Sequence, residues 1–125
     1  MNEAAARRRT ILVVDDDLDI RKTVTSILEE DDYNVVTAGN GQEALSYLTG
    51  PGAPRPDLIV LDMMMPIMDG PAFREQQQRN PELATIPVLI FTAFGAPADT
   101  KWAAGYLSKP LRLDALLATI ARHLE

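Results

Sequence analysis

The sequence predicts an α/β fold built on a parallel sheet. Short runs of aliphatic and β-branched residues recur along the chain, and segments with the apolar spacing of helices lie between them. Strands that alternate with helices form right-handed crossover units and therefore a sheet covered by helices on both faces. Five such units fit a doubly wound, flavodoxin-like sheet with the strand order 2-1-3-4-5.

Five segments are predicted as strands. Residues 11–14, 58–61 and 88–92 lack polar alternation, which is typical of strands buried on both faces of a parallel sheet. Residues 35–37 are a weaker candidate and favour an edge position. A short fifth strand is predicted at residues 106–108.

The helical segments have clear signals at their ends. A first helix is predicted from about residue 17 to residue 30, with Asp17 as its N-cap. A second begins after Asn40-Gly41 and ends at Gly50, and a third covers about residues 71–79. The last has an apolar face formed by Leu113, Leu116, Leu117, Ile120 and Leu124.

The connection between the fourth and fifth strands is short. After Pro97 only residues 98–104 remain, about two helical turns. Because isolated helices of this length are marginal, we expect a shortened or irregular fourth helix over this segment.

Composition narrows the class of protein. The 125 residues suit one domain, expected at 10–125 after an N-terminal extension at 1–9, with no output domain after the last helix. A net charge of −6 argues against direct nucleic-acid contact, and the absence of cysteine excludes thiolate sites. The aliphatic runs are too short to cross a membrane. The apolar run at 10–14 that follows Arg7-Arg8-Arg9 is too short for a signal peptide and leads directly into three aspartates. We expect a cytoplasmic protein.

Polar residues stand where the predicted strands end. Asp15, Asp16 and Asp17 follow the first, Asp62 follows the third, Thr92 ends the fourth and Lys109 follows the fifth. The carboxyl ends of parallel strands meet at one edge of the sheet, so these side chains should converge. Crowded carboxylates without histidine or cysteine favour a hard cation, and partial caging by carboxylates is typical of Mg²⁺.

Four motifs carry a family resemblance. The segments ILVVDDD (11–17), LDMMMPIMDG (61–70), FTA (91–93) and YLSKP (106–110) resemble the receiver domain of bacterial response regulators, of the chemotaxis-regulator type. They occur in the family's order, from about Thr10 to the C-terminus.

The resemblance implies a phosphoryl switch. Asp62 is the implied acceptor of a phosphoryl group from a histidine kinase or phosphotransfer protein. Mg²⁺ is the implied cofactor, with Asp16, Asp62 and the backbone carbonyl of Met64 as direct ligands and Asp15 acting through water.

The same resemblance implies which residues bind the phosphoryl oxygens and which residues form the conformational switch. Thr92, the backbone amide of Ala93 and Lys109 are the implied phosphoryl-binding groups. Thr92 and Tyr106 are the implied switch residues, and the bond between Lys109 and Pro110 is implied to be cis.

The resemblance also has implications for the lifetime of the phospho-aspartate and for the surface that binds partner proteins. Met64 and Phe94 occupy family positions that flank the attacking water, and neither can orient water. We therefore expect slow hydrolysis of the phospho-aspartate. The shortened fourth helix belongs to the family's usual output face, so we expect altered partner binding there.

Other functions remain open at this stage. A pseudo-receiver that docks proteins without phosphorylation is the main alternative. A nucleotide-binding α/β enzyme is disfavoured because the chain has no glycine-rich phosphate loop. The downstream target is an unknown protein, no membrane contact is expected, and the chain is expected to be a monomer or weak homodimer.

Overall fold

The computed structural model describes residues 8–93 and 101–124. Across these residues five strands pair in parallel in the order β2-β1-β3-β4-β5. The predicted fold class and strand order are confirmed. The strand bounds are β1 Thr10–Val14, β2 Asn34–Ala38, β3 Leu58–Asp62, β4 Val88–Thr92 and β5 Gly105–Ser108.

Five helices connect or flank these strands in the described part of the chain. They are α1 Leu18–Glu30, α2 Gly41–Leu48, α3 Gly70–Arg79, α4 Pro81–Ala84 and α5 Leu113–Leu124. The Asp17 side chain accepts hydrogen bonds from the backbone N–H groups of Asp19 and Ile20, which confirms its role as the N-cap of α1. None of the described helices is both long enough and apolar enough to cross a membrane.

The sheet separates two hydrophobic clusters because successive strand residues face opposite sides. Leu12, Ile59 and Ile90 point to the side covered by α2 and α3, where Phe73 is fully buried. The other side is covered by α1 and α5. Its cluster contains Ile11, Val13, Val60, Phe91, Leu28 and Leu116. The three central strands are buried on both faces, whereas β2 is a partly exposed edge strand, as predicted.

The helix α4 was absent from the sequence prediction. It is fixed by Gln77, whose side-chain amide donates to the carbonyls of Leu83 at 2.9 Å and Ile86 at 3.1 Å. Asn80 caps its start by accepting from the N–H of Glu82. Gln77 lies in the polar run Gln76-Gln77-Gln78, which by composition indicates an exposed surface, yet Gln77 is fully buried.

A shortened or irregular helix between the fourth and fifth strands was predicted over residues 98–104, and residues 98–100 of this segment lie outside the described residues. Residues 101–104 form turns rather than a helix. Trp102 packs against the cluster on the α2–α3 side, with the guanidinium carbon of Arg74 4.8 Å from its ring centroid. After β5, the Lys109–Pro110 bond is cis, as the resemblance implied.

Candidate functional site

Strand register brings the sequence-predicted residues to one edge of the sheet. Val14 is paired with Leu61, so Asp15 and Asp62 follow at adjacent positions on neighbouring strands. Thr92 is paired with Ser108, and the N–H of Lys109 donates to the carbonyl of Thr92 at 2.8 Å. The residues predicted to converge therefore share the carboxyl ends of the four neighbouring strands β1, β3, β4 and β5.

Asp15 is the most buried carboxylate of the group. It is 1% exposed, and its Oδ1 accepts a hydrogen bond of 2.9 Å from the N–H of Asp17. Oδ2 lies 3.0 Å from Nζ of Lys109, but no donor reaches this buried oxygen in hydrogen-bonding geometry. Oδ2 of Asp15 therefore lies beside the Lys109 ammonium group and can still bind a cation.

Lys109 is shared between two carboxylates. Its ammonium nitrogen lies 3.0 Å from Oδ2 of Asp15 and 3.4 Å from Oδ2 of Asp62, and the side chain is 20% exposed. Burial lowers the pKa of Lys109, but the close negative charges of Asp15 and Asp62 and the hydrogen bond to Asp62 outweigh burial and raise the pKa overall. The ammonium group therefore remains charged at neutral pH.

Asp62 is the last residue of β3 and is 6% exposed. Its Oδ1 accepts from the N–H of Met64 at 3.2 Å. Burial is the largest influence and raises the pKa of the Asp62 carboxyl, with a further increase from the charge of Asp15. The Met64 N–H and Lys109 lower the pKa by less, so the net direction is upward. The Met64 N–H and the Lys109 ammonium group therefore do not fully offset the free-energy cost of burying the Asp62 carboxylate.

The three carboxylates fit a hard divalent cation. Asp15, Asp16 and Asp62 each offer an oxygen, and these oxygens lie within 4.8 Å of one another. Asp16 is exposed, whereas the other two are buried. The set contains only oxygen ligands and its three negative charges exceed the single charge of Lys109. The uncompensated charge on Asp62 and the spare oxygen of Asp15 are two independent features that a Mg²⁺ ion would satisfy.

A cleft of about 230 Å³ opens over these groups. Its lining consists of Asp16, Asp17, Asp62, Met64, Thr92, Ala93 and Lys109. Thr92 is buried at 5% exposure and Ala93 is exposed. Met64 lies at the cleft with a largely exposed side chain. Tyr106 is on β5, with 42% exposure, and does not line this cleft. Phe94 lies outside the described residues.

The loop after β3 depends on a glycine at its far end. Asp69 caps α3 by accepting from the N–H of Ala72. A Cβ atom on Gly70 would lie 2.8 Å from Cα of Met63 and 3.1 Å from the carbonyl oxygen of Asp62. Only glycine allows the start of α3 to approach the backbone of the acceptor strand this closely.

Arg21 is a supporting residue that the sequence analysis missed. Its Nη1 donates a hydrogen bond of 2.7 Å to the backbone carbonyl of Asp15. This contact joins the first turn of α1 to the residue that follows β1. An arginine near the start of a helix has no distinctive sequence signal, so only the folded geometry reveals the contact.

The fold and site together define a doubly wound α/β protein with a carboxylate cluster and a lysine at the carboxyl edge of its sheet. Residues 11–121 match the family model of the response regulator receiver domain. The chain belongs to this family.

Individual relatives support the same assignment. The chain is 34% identical over 126 residues to a probable transcriptional regulator, ycf27, of Cyanophora paradoxa, a match that covers 94% of this chain and 50% of the relative. It is 36% identical over 113 residues to the response regulator MprA of Mycolicibacterium vanbaalenii, covering 86% of this chain and 47% of the relative. The chain thus spans about half the length of these relatives.

Solved structures agree in fold over nearly the whole chain. The chemotaxis protein CheY4 of Vibrio cholerae superimposes with a TM-score of 0.83 at 32% identity, covering 92% of this chain and 98% of that one. The response regulator TrrA of Thermotoga maritima, solved in complex with Mg²⁺-BeF, gives a TM-score of 0.79 at 27% identity, covering 92% and 98%.

Proposed function

We propose that this chain accepts a phosphoryl group on Asp62 from a histidine kinase or phosphotransfer protein and then binds a downstream protein through an altered surface. The observation that supports this function most directly is the shared cleft of Asp62, two further carboxylates and the Lys109 ammonium group. We place this activity in the cytoplasm, with no direct nucleic-acid contact by this domain.

The proposed transfer forms one bond and breaks another. A carboxylate oxygen of Asp62 forms the new P–O bond while the P–N bond to the donor histidine breaks. Asp16, Asp62 and the Met64 carbonyl would hold Mg²⁺ directly, with Asp15 acting through water, and the bound ion would supply positive charge beside the phosphoryl oxygens. Lys109 neutralises further charge, and Thr92 and the Ala93 amide donate hydrogen bonds to the phosphoryl oxygens.

The proposed output begins at the same residues. Thr92 moves toward the new phosphoryl oxygens, and Tyr106 moves into the space that Thr92 leaves. This is a two-state element biased by a local change of charge. A mainly monomeric chain, or a weak homodimer, suits such a switch.

Intact-mass measurement with a small phosphodonor and Mg²⁺ tests the proposal. We expect the mass of one phosphoryl group to be gained by the native chain and lost again with hydroxylamine. Asp62→Asn should remain unmodified, whereas Asp31→Asn, an exposed change beyond the far end of α1, should be modified like the native chain. A native chain that gains no mass under conditions that label another receiver would contradict the proposal and favour the pseudo-receiver.

A further inference from the structure

Met64 is an exposed methionine beside the acidic cleft. Its side chain is 66% exposed and lines the same cleft as Asp62 and Lys109. Its backbone is held in place, because its N–H donates to Oδ1 of Asp62. A large apolar side chain in this position adds little to the core, yet it borders the carboxylate on which the proposed chemistry occurs.

The neighbouring methionines form an internal contrast. Met63 and Met65 are 8% and 9% exposed and belong to the hydrophobic cluster under α2 and α3. Met68 is half-buried and packs its Cγ and Sδ against Gly41. Among the residues that the structure describes, Met64 is therefore the most exposed methionine and the one we expect a solvent-borne reagent to reach first. Met1 lies outside the described residues.

We propose that Met64 is an oxidation site at which a neutral peroxide changes the lifetime of the phosphoryl group on Asp62. The sulfur lone pair attacks one peroxide oxygen, the O–O bond breaks, and the other oxygen leaves as water after proton transfer. Sulfur is oxidised by two electrons and the peroxide is reduced by two. Hydrogen peroxide suits the site because it is uncharged, whereas the three carboxylates repel anionic oxidants.

Oxidation changes the chemistry of the cleft mouth. A thioether is apolar, while a sulfoxide oxygen accepts hydrogen bonds. An acceptor here can hold a water molecule near Asp62, which the methionine side chain does not. This consequence for lifetime rests on the proposed function. One additional hydrogen bond to the attacking water corresponds to about a twofold to tenfold faster loss of the phosphoryl group.

Peptide mapping after graded hydrogen peroxide treatment tests the site of oxidation. We expect Met64 to gain one oxygen atom before Met63, Met65 and Met68 do. The variant Met64→Leu should lack this rapid oxidation. Met1 lies far away in the sequence and is resolved in a separate peptide. Oxidation of Met63 or Met65 at the same rate as Met64 in folded protein, checked by circular dichroism, would overturn the proposal.

Phosphoryl lifetime tests the consequence. Native protein, oxidised native protein and Met64→Leu treated with peroxide are loaded with a small phosphodonor, freed of donor, and followed by intact mass. We expect faster loss only in the oxidised native protein, and a reversal by methionine sulfoxide reductase. Met64→Gln, which carries a carbonyl acceptor, should shorten the lifetime without peroxide.

The two readouts separate the possible failures. An unchanged lifetime in fully oxidised, folded protein overturns the proposed effect of Met64. Failure of the native chain to gain a phosphoryl group overturns the proposed function and the lifetime effect together, while the peptide map alone decides whether Met64 is the selective oxidation site.

Discussion

The ammonium nitrogen of Lys109 lies 3.0 Å from Oδ2 of Asp15, a carboxylate that is 1% exposed. These residues are separated by most of the chain and meet because β1 and β5 deliver their carboxyl ends to one edge of the sheet. The same ammonium group contacts Asp62 at 3.4 Å. Lys109 therefore partly neutralises the repulsion between the buried carboxylates of Asp15 and Asp62 when no metal is bound.

Lys109→Met should destabilise the metal-free protein. The methionine keeps most of the side-chain volume but leaves Asp15 and Asp62 without their cation. Breaking a fully buried pair costs several kcal/mol, and since Lys109 is 20% exposed we expect a loss of about 2 kcal/mol. Urea unfolding at neutral pH measures the change, and Mg²⁺ should reduce it.

The matched control is Lys22→Met, on the exposed face of α1. It should alter the free energy of unfolding by less than about 0.5 kcal/mol. Equal effects of the two substitutions would show that the ion pairs of Lys109 do not contribute measurably to the free energy of unfolding.

Asp62→Asn should stabilise the metal-free protein at neutral pH. Burial raises the pKa of Asp62 above its ordinary value of 3.8, so the folded state holds the proton more tightly than the unfolded chain. Stability from this group is therefore present below pH 3.8 and is lost as the pH rises through the folded pKa. The uncharged asparagine avoids that loss, with a gain of about 1 kcal/mol.

The pH dependence makes this prediction specific. The difference in unfolding free energy between Asp62→Asn and the native chain should grow from acidic to neutral pH and then level off. Urea titrations in chelator at a series of pH values provide the measurement. A native chain that is the more stable of the two at pH 7 without Mg²⁺ would contradict the prediction.

Mg²⁺ should stabilise the native chain through Asp16. At an ion concentration of 100 times Kd, a site present only in the folded state adds about 2.7 kcal/mol. Asp16→Asn should lose most of this gain. Asp17→Asn is the control because it removes the adjacent charge, yet asparagine still caps α1. Thermal unfolding with and without Mg²⁺ tests both, and a similar loss in both variants would indicate general charge screening instead of a site.

Gln77→Met should destabilise the fold although it adds apolar volume to a buried position. The Ile86 carbonyl loses the side-chain amide that donates to it, whereas the Leu83 carbonyl keeps the N–H of Ile86 at 3.1 Å. One buried unpaired group costs about 1–3 kcal/mol. We expect a loss of about 1–3 kcal/mol in urea unfolding. Gln78→Met, an exposed neighbour in the same helix, should change stability by less than about 0.5 kcal/mol. A neutral Gln77→Met would show that other groups or water satisfy these carbonyls.

Prediction succeeded where local pattern and global topology agree. The unbroken apolar strands, the cap at Asp17 and the edge character of β2 follow from residue type and spacing. Given the parallel topology, the meeting of Asp15, Asp62, Thr92 and Lys109 follows as well, because strand ends at one edge have fixed neighbours. The roles of these residues in phosphoryl transfer remain predictions.

The sequence did not indicate features that depend on individual side-chain contacts, such as α4 and the burial of Gln77. Gln77 lies in a polar run and is buried because two carbonyls beyond α3 accept its amide protons. The turns at residues 101–104 agree with the irregular segment expected there, but the contact between Trp102 and Arg74 was not foreseen. Neither contact follows a periodic pattern of residue types, so neither is visible in the sequence.

By itself the sequence determined the parallel sheet, its order and the set of acidic and basic residues at its edge, since each depends on local apolar pattern and chain order. Only the tertiary structure decided that Asp15 is nearly inaccessible while Asp16 is exposed, and that Met64 faces solvent while Met63 and Met65 are buried. The reason is that adjacent residues leaving a strand end can face either the core or solvent. Packing of the surrounding loops and helices, which no local pattern encodes, selects between them.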